Sequence, residues 1–378
     1  MAAGEWALIV AIVLARLLVP LLIPRVPLTI VVALVLDAVD NSLLAALTDV
    51  DLGPDGPYQN VDKALDVYYL AIAYMATLRN WTSLPAIRVG QFLFYYRLVG
   101  VLAFELLDER AMLFVFPNTF EYYFIAYSIL ALRYDPRRVG ARGWVATAAS
   151  IWVFVKLPQE YWIHIAQLDF TDTVAEHPWF GVLCALGLLA LAAIVQFAVR
   201  PRLPAPDHAP TVTAGPLPEP IADCRVRHAY RLRRGEGDWN EFAEKVFLLA
   251  LISNVFAEIL PNVEARPTEI ALAVTAIVAA NWAISAWDAR RHSAELGFAA
   301  LLAANLALIY LISRFFTAAE NFPLATALFF AFLITLMIWL YDVYRPVFDS
   351  RFQAARSIIT GTSGSNRAQS TVAPSRSK

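Results

Sequence analysis

Long apolar segments recur along almost the whole chain, and they restrict its fold more than any other feature of the sequence. Of the 378 residues, 59% are hydrophobic and 16% are charged, and the mean hydropathy is +0.55. A soluble domain averages about 25% charged residues. Because a helix needs about 20 largely apolar residues to cross the hydrocarbon core of a bilayer, the sequence predicts an all-α, polytopic membrane protein.

Eleven segments are predicted to span the membrane. They cover residues 6–23, 27–48, 61–79, 84–106, 111–132, 143–165, 178–199, 242–260, 268–287, 294–315 and 322–344. Arginine-containing loops alternate along the chain with acidic or neutral loops. Since Lys and Arg concentrate on the cytoplasmic side of a membrane, this alternation predicts an external N-terminus and a cytoplasmic C-terminus. The expected location is the plasma (inner) membrane.

The predicted spans fall into two groups separated by a polar segment. Residues 1–200 form a predicted seven-span bundle with a polar, outward-facing pocket, and residues 241–346 form a predicted four-span bundle. Residues 201–240 are a predicted cytoplasmic linker, first Pro-rich and therefore expected to be extended and mobile, then basic. The basic part is expected to contact anionic lipid head groups. Residues 347–378 are expected to form a disordered cytoplasmic tail.

Ionisable side chains within the first six predicted spans are the strongest indication of function. A charge in hydrocarbon costs roughly 2.5–3.5 kcal/mol, so such residues usually face a polar interior. Acidic residues exceed basic ones there, which favours a divalent cation or protons as the bound species. No organic cofactor is indicated, and the net charge of −2 argues against a nucleic-acid partner. The pocket and coupling candidates are Asp37, Asp40, Asp66, Arg97, Asn118, Glu121, Lys156, Gln159, Glu160 and His164.

Two pairs of aspartates lie on consecutive predicted spans. Asp37 and Asp40 are spaced i,i+3, and Asp62 and Asp66 are spaced i,i+4, so each pair lies on one helix face. Two such pairs are candidate ligands for one or two divalent ions. The alternatives are a hydrated vestibule or ion pairing with three basic residues of the same bundle, which are Arg16, Arg97 and Lys156.

Two predicted spans carry a proline beside polar residues. Pro117 precedes Asn118 in the fifth span, and Pro158 lies between Lys156 and Glu160 in the sixth. Proline removes a backbone hydrogen bond and kinks a helix. Irregular backbone at membrane depth is tolerated only where protein or a water-filled cavity satisfies it. We therefore expect these two spans to line the pocket, while a simple packing kink is the alternative interpretation.

Three classes of function fit these features. The leading hypothesis is a transporter-type carrier that couples solute movement to carboxylate protonation or cation binding at Asp37 and Glu121. The second is a membrane-embedded, metal-dependent transferase that acts on a lipid-linked substrate at the outer face. The third is a non-catalytic membrane assembly partner. The sequence contains no Walker, GxSxG, HExxH or CxxC motif, so whether the protein is an enzyme, and which protein partners it has, stays open.

Overall fold

The computed structural model describes residues 3–48, 57–109, 111–166, 168, 170–217, 239–259, 266–291, 298–313 and 324–359. It is all-helical, with 85% of residues in helices and no strand among those described. The α-helices are α1 (Ala3–Leu18), α2 (Thr29–Leu47), α3 (Pro57–Asn80), α4 (Leu84–Leu107), α5 (Ala111–Val115), α6 (Thr119–Ala131), α7 (Ala141–Ile151), α8 (Leu157–Glu160), α9 (Phe170–Glu176), α10 (Pro178–Ala193), α11 (Trp239–Ile259), α12 (Pro267–Arg291), α13 (Phe298–Ser313) and α14 (Leu324–Ile359). Turns of π-helix cover Trp152–Lys156, Tyr161–Ile165 and Ile194–Val199.

Helical structure occurs within each of the eleven predicted spans. Within the described ranges, four helical segments are long and apolar enough to cross a membrane, and they suggest a membrane protein. They are Glu5–Leu22, Leu84–Leu107, Pro267–Ile284 and Ala327–Phe352. The total of eleven spans and their orientation stay predictions.

Helix α3 lies at the centre of the packing. It contacts α1, α2, α4, α11 and α14, and nearly every side chain from Ala64 to Leu78 is buried. A helical segment that is enclosed on all sides is apolar all round, and the segment AIAYMA in the second half of α3 is apolar or aromatic throughout. The helices before and after the predicted linker therefore pack against each other through α3, α4, α11 and α14.

A break at Pro117 separates α5 from α6, so the kink predicted from this proline is confirmed. The freed backbone groups find side-chain partners, as irregular backbone in apolar surroundings requires. Tyr96 Oη donates to the Val115 carbonyl at 3.0 Å, Arg97 Nη1 donates to the Phe116 carbonyl at 3.1 Å, and the Asn118 N–H donates to Glu160 Oε1 at 3.2 Å.

Helix α4 comes close to this break at Gly100. A Cβ added there would lie 2.1 Å from Phe116 Cβ, so the backbone would have to shift. We expect Gly100→Ala to lower the free energy of unfolding by about 1–3 kcal/mol, measured by thermal unfolding in detergent. Gly187→Ala on α10 is the matched control, because nothing lies within 4 Å of its added Cβ. Equal melting temperatures for the two variants would contradict the close approach.

Residues 203–217, which we call the strap, lie extended across one end of the first bundle. The backbone N–H groups of Asp207, Thr211 and Ala214 donate to the carbonyls of Arg133, Leu132 and Arg25 at 2.9, 3.0 and 2.7 Å. The extended shape agrees with the Pro-rich composition, and these three bonds attach the strap to the bundle, while its mobility stays a prediction. The predicted basic part of the linker lies mostly at 218–238, outside the described residues, and its contact with anionic lipid head groups stays a prediction.

The predicted tail begins too early, because residues 347–359 continue helix α14. Packing explains the difference: Val347 is fully buried, and the rings of Phe348 and Phe352 lie 5.0 Å apart. Arg345 Nε also lies 3.5 Å from Asp349 Oδ1 one turn further along. The rest of the predicted tail, residues 360–378, lies outside the described residues.

Candidate functional site

Four aspartates from α2 and α3 surround the guanidinium group of Arg16 on α1. Arg16 Nη2 donates to Asp37 Oδ1 at 2.5 Å and to Asp66 Oδ1 at 2.6 Å. Arg16 Nη1 contacts Asp40 Oδ2 and Asp62 Oδ1. Each of the two Nη groups carries two N–H donors, so four donors meet four carboxylates. We call these five residues the Arg16 cluster.

Helix geometry explains the convergence on Arg16. The i,i+3 and i,i+4 spacings direct each aspartate pair to one face, and α1 packs against both α2 and α3. Arg16 and Asp40 are only 4% and 2% exposed, whereas the side chain of Asp66 is 42% exposed. The cluster is therefore closed at Asp40 and open at Asp66. With all groups ionised, four carboxylates and one guanidinium leave a net charge of −3.

Three of the four predicted metal ligands also satisfy the spacing of a metal site. Asp37, Asp62 and Asp66 offer carboxylate oxygens that all lie within 4.8 Å of one another. Such oxygens are the ligands that Mg²⁺ and Ca²⁺ prefer. Asp40 is not part of this set and contacts Arg16 from the buried side. A metal ion at the three aspartates would thus share its ligands with the guanidinium.

A second group of ionisable side chains follows the proline in the sixth predicted span. Pro158 lies in a single α-helical turn that is flanked by two turns of π-helix. Turns of π-helix within α-helical segments are frequent at functional sites. Lys156 Nζ lies 3.5 Å from Glu160 Oε1 and donates to Gln159 Oε1 at 3.0 Å. His164 Nε2 lies 3.0 Å from Glu160 Oε2. We call these four polar residues the Lys156 cluster.

Glu121 and Tyr69 lie between the two clusters. Glu121 is 3% exposed; its Oε2 accepts a hydrogen bond from Asn118 Nδ2 at 2.9 Å, and its Oε1 has no hydrogen-bond partner among the described residues. Glu121 lies within electrostatic range of Tyr69, Asp37 and Lys156. Tyr69 lies within electrostatic range of Asp66 and Asp37. Both residues are therefore close enough to sense charge at the Arg16 cluster, and Glu121 also senses charge at the Lys156 cluster.

Arg97 completes the set of predicted pocket residues. Its Nη1 donates to the Phe116 carbonyl, its Nε has no partner within the described ranges, and its charge acts on both Glu121 and Glu160. The structure thus places every predicted pocket residue in one of the clusters or beside the connecting Glu121.

Tyr69 is the residue that sequence reasoning missed as a polar group, although it lies three positions after Asp66 on the same helix face.

The chain was compared with protein-family models, with curated proteins and with solved structures. None of the three comparisons finds a match.

Proposed function

We propose that the protein is a multi-pass membrane carrier that binds a proton or another cation at the Arg16 cluster. The observation that carries the proposal is the charge balance, because four carboxylates face one guanidinium. An excess of negative charge in apolar surroundings attracts protons or cations. In the proposed eleven-span topology, with the N-terminus outside the plasma membrane, the cluster lies in the outer half of the membrane.

Contacts at the opposite end of the bundle support that topology. The strap binds the backbone carbonyls of Arg25 and Arg133, and Arg351 donates to the Trp81 carbonyl. Basic loops that are far apart in sequence therefore share one face. Such a shared basic face is what the cytoplasmic side of a membrane protein requires.

In the proposed mechanism Arg16 is a tethered counter-cation. It holds the four carboxylates together, and an entering proton or cation competes with it for the same oxygens. Asp66 is the most exposed of these carboxylates and serves as the outer entry. Tyr69 and Glu121 then connect the bound charge to the Lys156 cluster. Competition for the carboxylates links cation binding to movement of α1, which is the coupling that a carrier needs.

The test is flux in proteoliposomes. A pH-sensitive dye inside the vesicles reports protons under an imposed membrane potential, and isotopes report Na⁺, K⁺, Mg²⁺ or Mn²⁺. We expect flux of a proton or one of these cations, reduced at least about tenfold in Asp37→Asn and Glu121→Gln, since each removes a carboxylate from the path. The control is Glu176→Gln, which changes an exposed carboxylate on α9. Flux that is unchanged in both pathway variants would refute the mechanism.

The spacing of Asp37, Asp62 and Asp66 favours a second candidate, a metal-dependent transferase that acts on a lipid-linked substrate. If the site is a metal centre, Mg²⁺, Mn²⁺ or Ca²⁺ should raise the melting temperature of the wild-type protein, because a ligand that binds only the folded state stabilises it. The increase should vanish in Asp62→Asn. A melting temperature that no divalent ion changes would count against the transferase. Proton binding at the Arg16 cluster would then be the remaining explanation.

A further inference from the structure

A cavity of about 540 Å³ lies between the strap and the ends of α3, α6 and α14. This volume falls in the range of about 300–1,000 Å³ that is usual for small-molecule sites. Trp81 and Tyr127 lie in its wall with their rings stacked 4.0 Å apart, and Arg79 and Arg351 lie beside them. No residue of the Arg16 cluster or the Lys156 cluster lines the cavity, so it is a separate site.

The two arginines are oriented by neutral oxygens. Arg351 donates to the carbonyls of Trp81 and Arg79 at 2.6 and 2.9 Å. Arg79 donates to Asn80 Oδ1 at 2.8 Å, to the Gly215 carbonyl of the strap at 3.4 Å, and to the Pro24 carbonyl. In the part of the chain that the structure describes, neither guanidinium lies within ion-pair distance of a carboxylate. The partly buried wall therefore carries two positive charges without a counter-charge.

The acidic residues of the same wall are already engaged by other arginines. Arg137 Nη2 lies 2.8 Å from Asp135 Oδ2, and Arg138 Nη2 lies 2.6 Å from Asp207 Oδ1. The side-chain hydrogen bond from Arg137 lowers the pKa of Asp135, so this carboxylate stays ionised at neutral pH and keeps its partner. The uncompensated charge of the cavity is thus that of Arg79 and Arg351.

We propose that this cavity binds a phosphate-bearing anion through Arg79 and Arg351. The planar guanidinium fork matches phosphate oxygens, and the two positive charges complement an anionic phosphate, which carries about −1 as a lipid diester and about −1.5 to −2 as a monoester at pH 7. The carbonyl contacts hold both guanidinium groups in place before the ligand arrives, which reduces the entropy lost on binding. The phosphate belongs either to a lipid head group or to a free small molecule.

The experiment uses the full chain in phosphate-free detergent. One arm titrates inorganic pyrophosphate by calorimetry, and the other measures retention of phosphatidylglycerol against phosphatidylcholine by native mass spectrometry. We expect binding in at least one arm, weakened at least tenfold in Arg79→Gln and Arg351→Gln and partly kept in the lysine variants. Arg142→Gln, which changes an exposed arginine outside the cavity, is the control. Binding of pyrophosphate alone identifies a soluble ligand, and retention of phosphatidylglycerol alone identifies a lipid.

A separate variant guards against simple loss of fold, since Arg351 also binds carbonyls at the end of α3. Val212→Trp adds an indole at the exposed strap side of the cavity and leaves both arginines in place. We expect it to weaken binding with little change in melting temperature. Absence of binding in both arms of the wild-type experiment would overturn the proposal. The proposal would also be overturned if Val212→Trp and those glutamine variants that fold bound the two probes as tightly as the wild type does.

Discussion

Arg16→Gln should lower the melting temperature of the protein sharply. The substitution removes the one guanidinium that contacts four carboxylates, of which Asp40 is the most deeply buried. Loss of one partner from a buried ion pair costs about 3–5 kcal/mol, because the remaining charge is left without compensation. The measurement is thermal unfolding in detergent at neutral pH.

Two further variants make the result specific to the cluster. Arg142→Gln removes an exposed arginine from α7 and should unfold like the wild type. Adding Asp40→Asn to the Arg16→Gln protein removes the most buried carboxylate and should restore part of the lost stability. A melting temperature of Arg16→Gln equal to that of wild type would show that the guanidinium does not hold the carboxylates together.

Glu160→Gln is expected to destabilise the protein more than Lys156→Gln. The first change leaves the buried Lys156 ammonium without the carboxylate of its own helix and should cost about 3–5 kcal/mol. The second change is milder, because Glu160 keeps the Asn118 N–H at 3.2 Å and His164 Nε2 at 3.0 Å. Thermal unfolding of the two variants side by side measures the difference.

The ion pair between Lys63 and Glu105 is the control for this comparison. Its atoms lie 3.1 Å apart, but the Lys63 side chain is partly exposed. Ion pairs that water can reach contribute about 0–1 kcal/mol to the free energy of unfolding. Glu105→Gln should therefore lower the melting temperature only slightly. A lower melting temperature for Lys156→Gln than for Glu160→Gln would contradict this prediction. It would mean that Glu160 depends on Lys156 more than Lys156 depends on Glu160.

The aspartate pairs show how far spacing alone predicts the site. Their i,i+3 and i,i+4 intervals correctly place each pair on one helix face. Sequence reasoning also named Arg16 among three possible basic partners, and the structure selects it for all four carboxylates. That selection depends on α2 and α3 packing around α1, and no local pattern in the sequence encodes it.

The helix break shows the same limit. Pro117 predicts that the backbone is interrupted, because the ring removes a donor and clashes with the preceding turn. It does not predict that Glu160, 42 residues later, accepts the hydrogen bond from Asn118. The strap is similar: its prolines predict an extended chain, while its acceptors lie in loops that are remote in sequence. Local conformation follows from nearby residues, and partners follow from tertiary packing.

The contact between Arg351 and Trp81 has a consequence for biogenesis. It joins residues 270 positions apart, and a chain is made from its N-terminus at about 5–20 residues per second. Helices α3 to α6 therefore exist for many seconds before α14 can reach them. Until then the end of α3 lacks the arginine that binds its last carbonyls, and one wall of the cavity is absent. A nascent chain that stops short of Arg351 would leave that end of α3 and the cavity wall open.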